Sequence, residues 1–232
     1  MRHLASSTGL AFAGRRSRAA CVARSPSALR LVIMVKEPHA GRVKTRLGRE
    51  IGAIAAASFY RHAASAVLRR LSRSTRWQTW LAVAPDTMVA SRFWPCRISR
   101  RAQGRGDLGQ RMQRIMEWPG RGPTIIVGTD IPAIEPSHIA AAFRALGRGD
   151  AVLGPTPDGG YWLVGLKRSP RILRPFAGVR WSSAHAFPDT AANLAGQKLG
   201  RAARLADVDD AGVWRRVRAW SGRTILPSAV RS

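Results

Sequence analysis

The sequence predicts an α/β protein: one domain in which a mostly parallel, twisted sheet carries helices on both faces. From residue 31 onward, short apolar segments typical of buried strands alternate with longer segments of helical periodicity. The 232 residues suit one well-buried core, and a hydrophobic share of 45% excludes a disordered chain.

In the first half of the chain, strands and helices alternate. Leu31–Val35 is a continuous apolar run, which is typical of a strand buried on both faces. Apolar residues at three- and four-residue spacing predict a helix over Arg49–Leu71. Strands at Trp77–Ala84 and, with a weaker pattern, at Cys96–Arg100 precede a helix over Leu108–Trp118. Cys96 is interpreted as a small core residue of its strand.

The second half continues the alternation. Thr124–Val127 is another buried strand, and Pro136–Leu146 is a helix with proline at its first position. The other predicted elements are strands at Ala151–Leu153 and Tyr161–Val164, helices at Ser182–Leu194 and Asp209–Trp220, and a short strand near Arg204 and Leu205.

The charge of the chain is strongly positive. Lys and Arg number 39 against 13 Asp and Glu, giving +26, and such a surface attracts nucleic acids, anionic membranes or acidic small molecules. The arginines are spread along the chain, with no helix-turn-helix, zinc-finger or aromatic RNA-binding signature. We therefore favour an arginine-rich solvated surface, and keep nucleic-acid binding as an alternative.

The domain boundaries and the compartment follow from composition. Residues 1–29 are acid-free and rich in Arg, Ser and Ala, which predicts a disordered basic tail before a domain at 30–222 and a second tail at 223–232. The longest uncharged apolar run, Ile51–Tyr60, has 10 residues, well short of the roughly 18 that a membrane helix needs. Two cysteines exclude a disulfide scaffold. We expect a cytoplasmic protein.

The loop after the first strand is the first candidate ligand site. It contains Lys36, Lys44 and Arg46 around Gly41, directly before a predicted helix. Cations beside the amides of a helix N-terminus suit a diphosphate or triphosphate, although the glycine spacing differs from a P-loop. The alternative is a basic surface loop.

Two aspartates stand at strand ends, where ligands bind in parallel α/β folds. Asp130 follows the strand Thr124–Val127; it either holds a hard cation such as Mg²⁺ or caps the next turn. Asp158 precedes Gly159 and Gly160, as a ligand-facing carboxylate or as part of an Asp-Gly hairpin turn.

A further candidate loop lies at the start of the predicted helix Leu108–Trp118. Asp107 and Arg111 belong either to a second ligand loop or to a helix start that Asp107 caps.

Five ordered segments closely resemble the bacterial GT-A-like transferase family named as glycosyltransferases of arsenosugar biosynthesis. That family is more distantly similar to 2-phospho-lactate and molybdenum-cofactor guanylyltransferases. The resemblance covers residues 30–222, and the acidic run Asp207–Asp210 departs from the family pattern. The segments are Val35–Leu47, Gly106–Met112, Gly128–Pro132, Gly154–Gly165 and Trp181-Ser182.

This resemblance implies a nucleotide-diphospho-sugar transferase fold. Asp130 and Asp158 would be the catalytic carboxylates, holding Mg²⁺ or Mn²⁺, with Asp158 alternatively nearest the acceptor. Residues implied to contact the nucleotide or its phosphates are Lys36, Lys44, Thr45, Arg46, Asp107 and Arg111. Residues implied on the acceptor side are Gly159, Gly160, Tyr161, Trp181 and Ser182.

The expected activity is metal-dependent transfer of a sugar from a nucleotide-diphosphate donor to a small-molecule acceptor. Two alternatives stay open. A nucleotidyltransferase would join a nucleoside triphosphate to a phosphorylated small molecule with the same cations and metal. A non-catalytic nucleic-acid-binding protein would use the positive charge alone.

Overall fold

The computed structural model of the chain describes residues 29–120 and 122–206, in which seven strands form one sheet. The strands are β1 (Arg30–Lys36), β2 (Gln78–Ala84), β3 (Ser99–Ala102), β4 (Thr124–Val127), β5 (Ala151–Pro155), β6 (Tyr161–Leu166) and β7 (Leu199–Arg201). The helices are α1 (Thr45–Ile51), α2 (Ala53–Ser72), α3 (Leu108–Met116), α4 (Pro136–Arg148) and α5 (Ala186–Ala192).

The sheet has the order β3-β2-β1-β4-β6-β5-β7 and is mostly parallel, as predicted. Only β6 runs against its two neighbours, β4 and β5. Lys36 pairs with Ala84, and Val127 lies opposite both Ile33 and Leu163. The carboxyl ends of β1, β2 and β4 therefore share one edge with the start of β6.

The core occupies both faces of the sheet, as the five-residue apolar run of β1 predicted. Leu31 and Ile33 pack on one side with residues of α2 and α4. Val32 points to the other side, against Met112 and Ile115 of α3. Helices on both faces leave the edge at the strand ends as the place where polar loops can gather.

The prediction of one helix over Arg49–Leu71 is wrong at the start of the segment. Two helices occupy the segment, because Gly52 has a φ of +87° and interrupts the chain between α1 and α2. Such a conformation is open to glycine and strained for other residues. The first of these helices, α1, begins at Thr45, directly after Lys44 of the basic loop.

Other element predictions also need correction. Cys96 is exposed and outside any strand, since a turn closed by the Ile98 N–H on the Pro95 carbonyl precedes β3. The helix predicted from Ser182 starts only at Ala186, because a turn occupies the preceding residues. The late strand is β7 at 199–201, before the predicted position.

Several predictions lie outside the described residues: the helix Asp209–Trp220, the acidic run Asp207–Asp210, the C-terminal tail 223–232 and, apart from its last residue, the N-terminal tail 1–29. The domain boundaries stay predictions. Among the helices that the structure describes, none is long and apolar enough to cross a membrane.

Candidate functional site

Two cavities meet at the sheet edge formed by the ends of β1, β2 and β4. Their volumes are about 600 and 530 Å³. They share six lining residues, so they are two parts of one site: Lys44, Thr45, Asp130, Asp158, Ser182 and Ser183.

Most of the predicted site residues come together here. The larger cavity is also lined by Lys36, Arg111, Gly160, Tyr161 and Trp181, and the smaller by Arg46. Two others do not reach the described lining of either cavity: Asp107 and Gly159. Residues that lie more than 100 positions apart in the chain, such as Lys36 and Trp181, therefore line the same site.

Lys44 and Asp130 form an ion pair in the wall that both cavities share. The Lys44 Nζ lies 2.7 Å from Oδ1 of Asp130, and the lysine side chain is 5% exposed against 53% for the aspartate. Lys44 adopts the left-handed conformation, with φ and ψ of 47°, immediately before α1. A non-glycine residue in this region is strained, and such strain is frequent at functional sites. The predicted phosphate ligand and the predicted metal ligand therefore contact each other.

Tyr60 forms hydrogen bonds to residues on both sides of the site, a role that was not predicted from the sequence. Its phenol oxygen accepts the N–H of Lys36 at 2.9 Å and shares a hydrogen bond of 3.1 Å with the hydroxyl of Thr129. Burial raises the pKa of Tyr60 to about 12, so the phenol stays neutral. Tyr60 therefore ties the last residue of β1 to the residue before Asp130. A tyrosine on the buried face of an apolar helix is the signal that could have indicated it.

Asp107 caps the N-terminus of α3 and is not among the described residues that line either cavity. Its carboxylate accepts the N–H of Gln110 at 2.7 Å, while the Gln110 side chain accepts the N–H of Asp107, forming a capping box. The side chain of Arg111 reaches back, and its Nε donates to the Asp107 carbonyl at 3.1 Å. Asp107 thus fixes the start of α3, from which Arg111 faces the cavity.

Asp158 combines the two interpretations given from the sequence, a hairpin turn and a carboxylate that faces the ligand site. Strands β5 and β6 pair antiparallel around residues 156–160, so the segment is a hairpin connection. Within it, Oδ1 of Asp158 accepts the hydroxyl of Thr156 and the N–H of Gly160, the latter at 3.0 Å. These bonds fix an exposed carboxylate at the cavity mouth.

Gly159 shapes the same hairpin. Its φ of +83° favours glycine, and a Cβ there would collide with the backbone of Ala184. Its carbonyl accepts the N–H of Phe187 at 2.9 Å, at the start of α5. Gly159 therefore holds the hairpin against the loop that carries Trp181 and Ser182.

That loop is anchored to α5. Arg180 donates through Nε and Nη2 to both carboxylate oxygens of Asp189, at 2.9 and 2.8 Å. These hydrogen bonds hold the pKa of Asp189 well below its usual range. Next to Arg180, Trp181 lies edge-on to Tyr161, with 6.3 Å between ring centroids. The two aromatic rings give the larger cavity an apolar wall beside its charged one.

The charges of the site suit a polyanionic ligand together with one cation. Four cationic side chains face two carboxylates across the joined cavities: Lys36, Lys44, Arg46 and Arg111 against Asp130 and Asp158. The described residues contain no group of three or more His, Cys, Asp or Glu side chains that could hold a metal ion. Mg²⁺ commonly uses only one or two carboxylates and takes its other oxygens from phosphate and water. The donor set fits such shared coordination.

This fold, with its polar site at the strand ends, is that of nucleotide-diphospho-sugar transferases. A proposed nucleotide-diphospho-sugar transferase from Desulfovibrio desulfuricans G20 superposes with a TM-score of 0.75 and 28% identity, over 84% of this chain and 89% of that one. A family model described as "Uncharacterized protein conserved in bacteria (DUF2064)" matches residues 67–183, half of the chain. The chain belongs to this family, and the resemblance indicated by the motifs is confirmed at this level.

More distant structures share the fold. CMP:2-keto-3-deoxy-manno-octonic acid synthetase, complexed with CTP, superposes with a TM-score of 0.55 and 13% identity, over 84% of this chain and 99% of that one. Rv0371c from Mycobacterium tuberculosis H37Rv, complexed with manganese, has a TM-score of 0.51 and 13% identity, over 82% and 98%. No curated protein matches the chain at a significant level.

Proposed function

We propose that this protein is a metal-dependent glycosyltransferase that moves a sugar from a nucleotide-diphosphate donor to a small-molecule acceptor. One observation carries the proposal: cationic and acidic side chains from four separate segments of the chain line one site at the strand ends. The proposed nucleotide-diphospho-sugar transferase with 28% identity supports it. We place the protein in the cytoplasm, where nucleotide sugars are formed.

The cations act on the diphosphate. Lys36, Lys44 and Arg46 neutralise the phosphates on binding, and Thr45 lies beside them with its N–H at the start of α1. When the bond to the sugar breaks, negative charge grows on the departing diphosphate. Fixed cations lower the barrier because they stabilise this charge without reorganising. Arg111 contacts the nucleotide from the α3 side.

Asp130 and Asp158 would hold Mg²⁺ or Mn²⁺. A bound divalent ion would supply further charge stabilisation for the diphosphate. The manganese complex of Rv0371c supports this cofactor class. Because Lys44 already binds Asp130 at 2.7 Å, the phosphates must draw the ammonium away before the carboxylate is fully available. Metal and nucleotide should therefore bind together.

The acceptor lies against the hairpin and the anchored loop. Gly160 lets the hairpin backbone come close to a ligand, while Gly159 holds the hairpin against the neighbouring loop; Tyr161, Trp181 and Ser182 line the same cavity. The aromatic rings of Tyr161 and Trp181, with the carboxylate of Asp158 in the same cavity, suit a small acceptor that carries a polar attacking group. Asp158 lies nearest to this part of the site.

Nucleotidyl transfer is the second candidate, favoured by the CTP complex of the octonic acid synthetase with the same fold. A phosphorylated acceptor would then attack the α-phosphate of a nucleoside triphosphate, and pyrophosphate would leave. The same cations and metal serve both reactions.

A ligand panel separates the candidates. Thermal unfolding is followed with UDP-glucose, GDP-mannose, the four nucleoside triphosphates and duplex DNA, each with and without Mn²⁺. A metal-dependent stabilisation that is largest with nucleotide sugars supports glycosyl transfer, and one that is largest with triphosphates supports nucleotidyl transfer. Tight, salt-sensitive DNA binding without a metal effect would instead support the nucleic-acid alternative. Lys36→Met should weaken the nucleotide response, whereas Lys167→Met, at an exposed position outside both cavities, serves as the matched control.

A further inference from the structure

Gln103 is a buried amide at the base of the larger cavity, and neither the motifs nor the proposed chemistry use it. It follows β3 directly and is 4% exposed. A buried amide is stable only when its donors and acceptor find partners. The way in which these partners are arranged indicates what the side chain does.

Both amide hydrogens of Gln103 are committed to the sheet. Nε2 donates to the carbonyl of Val35 at 3.1 Å and to that of Ala82 at 2.8 Å. These carbonyls belong to the neighbouring strands β1 and β2, close to their carboxyl ends. With the nitrogen fixed by two backbone acceptors, the side chain has one orientation, and Oε1 must face the other way.

The oxygen faces Arg111. Nη1 of Arg111 donates to Oε1 of Gln103 at 3.2 Å, and Nε donates to the Asp107 carbonyl at 3.1 Å. Because the guanidinium is planar, two bonds at different nitrogens fix its whole plane. The rest of its N–H donors are thereby held at the cavity wall.

We propose that Gln103 is a positioning residue that holds the Arg111 guanidinium in the orientation needed to bind an anionic or carbonyl oxygen of the nucleotide. The inference rests on the proposed function, since it requires a nucleotide in the larger cavity. The sheet orients Gln103, Gln103 orients Arg111, and Arg111 contacts the ligand. An arginine held in this way loses little conformational entropy when the ligand binds.

A purely structural role is the competing explanation, in which Gln103 only ties β1 to β2. The two explanations differ in coupling. If Gln103 acts through Arg111, replacing Gln103 lowers the affinity for the nucleotide only while Arg111 is present. If Gln103 only stabilises the sheet, the two replacements act independently.

The test is a double-mutant cycle on nucleotide affinity. Calorimetric titration with Mn²⁺ uses whichever of UDP, GDP, CDP and ADP binds the wild-type chain most tightly. Hydrogen bonds to charged groups lead us to expect losses of about 10-fold for Gln103→Met and about 30-fold for Arg111→Met. The double variant should match Arg111→Met within about 2-fold. A Gln103→Met affinity equal to wild type, or a double variant weaker by the product of both factors, would overturn the proposal.

Arg114→Met is the matched control. Nη1 of Arg114 donates to the main-chain oxygen of Gln103 at 2.7 Å, and the side chain is exposed and outside the described cavity lining. This variant disturbs the same residue without touching its amide group. Its affinity should stay within about 2-fold of wild type, and a loss as large as that of Gln103→Met would count against positioning.

Arg111→Lys keeps the test decisive if Gln103→Met does not fold. Lysine retains the charge but lacks the planar fork that can bond Gln103 and a ligand together. Positioning predicts a loss close to that of Arg111→Met, and near-wild-type affinity would overturn it. Failure of every nucleotide to bind the wild-type chain would reject the proposed function instead, so the two failures are distinguishable.

Discussion

The ion pair between Lys44 and Asp130 predicts an unequal response to the loss of each partner. The lysine side chain is 5% exposed, whereas the aspartate is 53% exposed. Asp130→Asn replaces the carboxylate that lies beside this buried ammonium with a neutral amide. Lys44→Met leaves a carboxylate that water can solvate. Stability should therefore fall more in the aspartate variant.

The magnitude follows from the degree of burial. Exposed ion pairs contribute about 0.2–1 kcal/mol, whereas removing one partner of a fully buried pair costs about 3–5 kcal/mol. With one partner buried and the other half-exposed, we expect Asp130→Asn to lower the free energy of unfolding by about 2 kcal/mol. Lys44→Met should lower it by less than about 1 kcal/mol, because it removes the buried charge itself.

Urea denaturation at neutral pH and low ionic strength measures these values. Glu135→Gln is the matched control, since Glu135 is 51% exposed and pairs at 3.1 Å with Arg70, whose side chain is 30% exposed. A loss below about 1 kcal/mol is expected there. The reasoning is refuted if Lys44→Met destabilises more than Asp130→Asn, or if Asp130→Asn costs no more than the control.

Three other predictions concern the surroundings of the site. The phenol of Tyr60, with its pKa raised from 10.0 to about 12, contributes stability that is complete below pH 10 and lost as the pH rises through 12. The stability advantage of wild type over Tyr60→Phe should thus shrink by about 2–3 kcal/mol over this interval in urea denaturation, and a constant difference would argue against it. Gly159→Ala and Gly178→Ala both place alanine at a positive φ, but only Gly159 also meets backbone. Gly159→Ala should therefore lower the thermal midpoint more, and equal midpoints would contradict the clash. The carboxylate of Asp189, whose pKa Arg180 depresses, contributes stability above its usual pKa of 3.8 that is lost as the pH falls further. The thermal midpoints of wild type and Asp189→Asn should accordingly converge in acid; a gap unchanged down to pH 2 would refute the assignment.

The sequence predicted the layers of the fold and the location of the site. Continuous apolar runs such as Leu31–Val35 occur where strands are buried on both faces, and their alternation with helices fixes a mostly parallel sheet. Parallel strands end at the same edge, so Lys36 and Asp130 were expected to meet there. Both residues line the larger cavity, as the topology of the sheet predicts.

The antiparallel pairing of β5 and β6 was predicted only as one of two alternatives, the Asp-Gly hairpin turn at Asp158. Only residues 156–160 separate β5 from β6. A connection this short joins antiparallel strands, because a parallel crossover needs a dozen residues or more. Gly52 was less informative: a single glycine within a helical pattern is tolerated, and only its positive φ shows that the helix is broken.

The contacts within the site could not be predicted from local patterns. Lys44 and Asp130 were each assigned a ligand, but their ion pair joins two segments that lie far apart in the sequence. Tyr60 and Gln103 bond backbone groups 24 and 68 residues away, at Lys36 and Val35. Such partners are set by tertiary packing, which periodicity and composition do not describe.

A structure of the protein crystallised with Mn²⁺ and its best-binding nucleotide, with manganese located by its anomalous signal, tests the central claim most directly. We predict manganese within coordination distance of the carboxylates of Asp130 and Asp158, and phosphate oxygens within hydrogen-bonding distance of Lys36 and Lys44. Manganese bound away from both aspartates, or a nucleotide outside the two joined cavities, would contradict the assignment of this site.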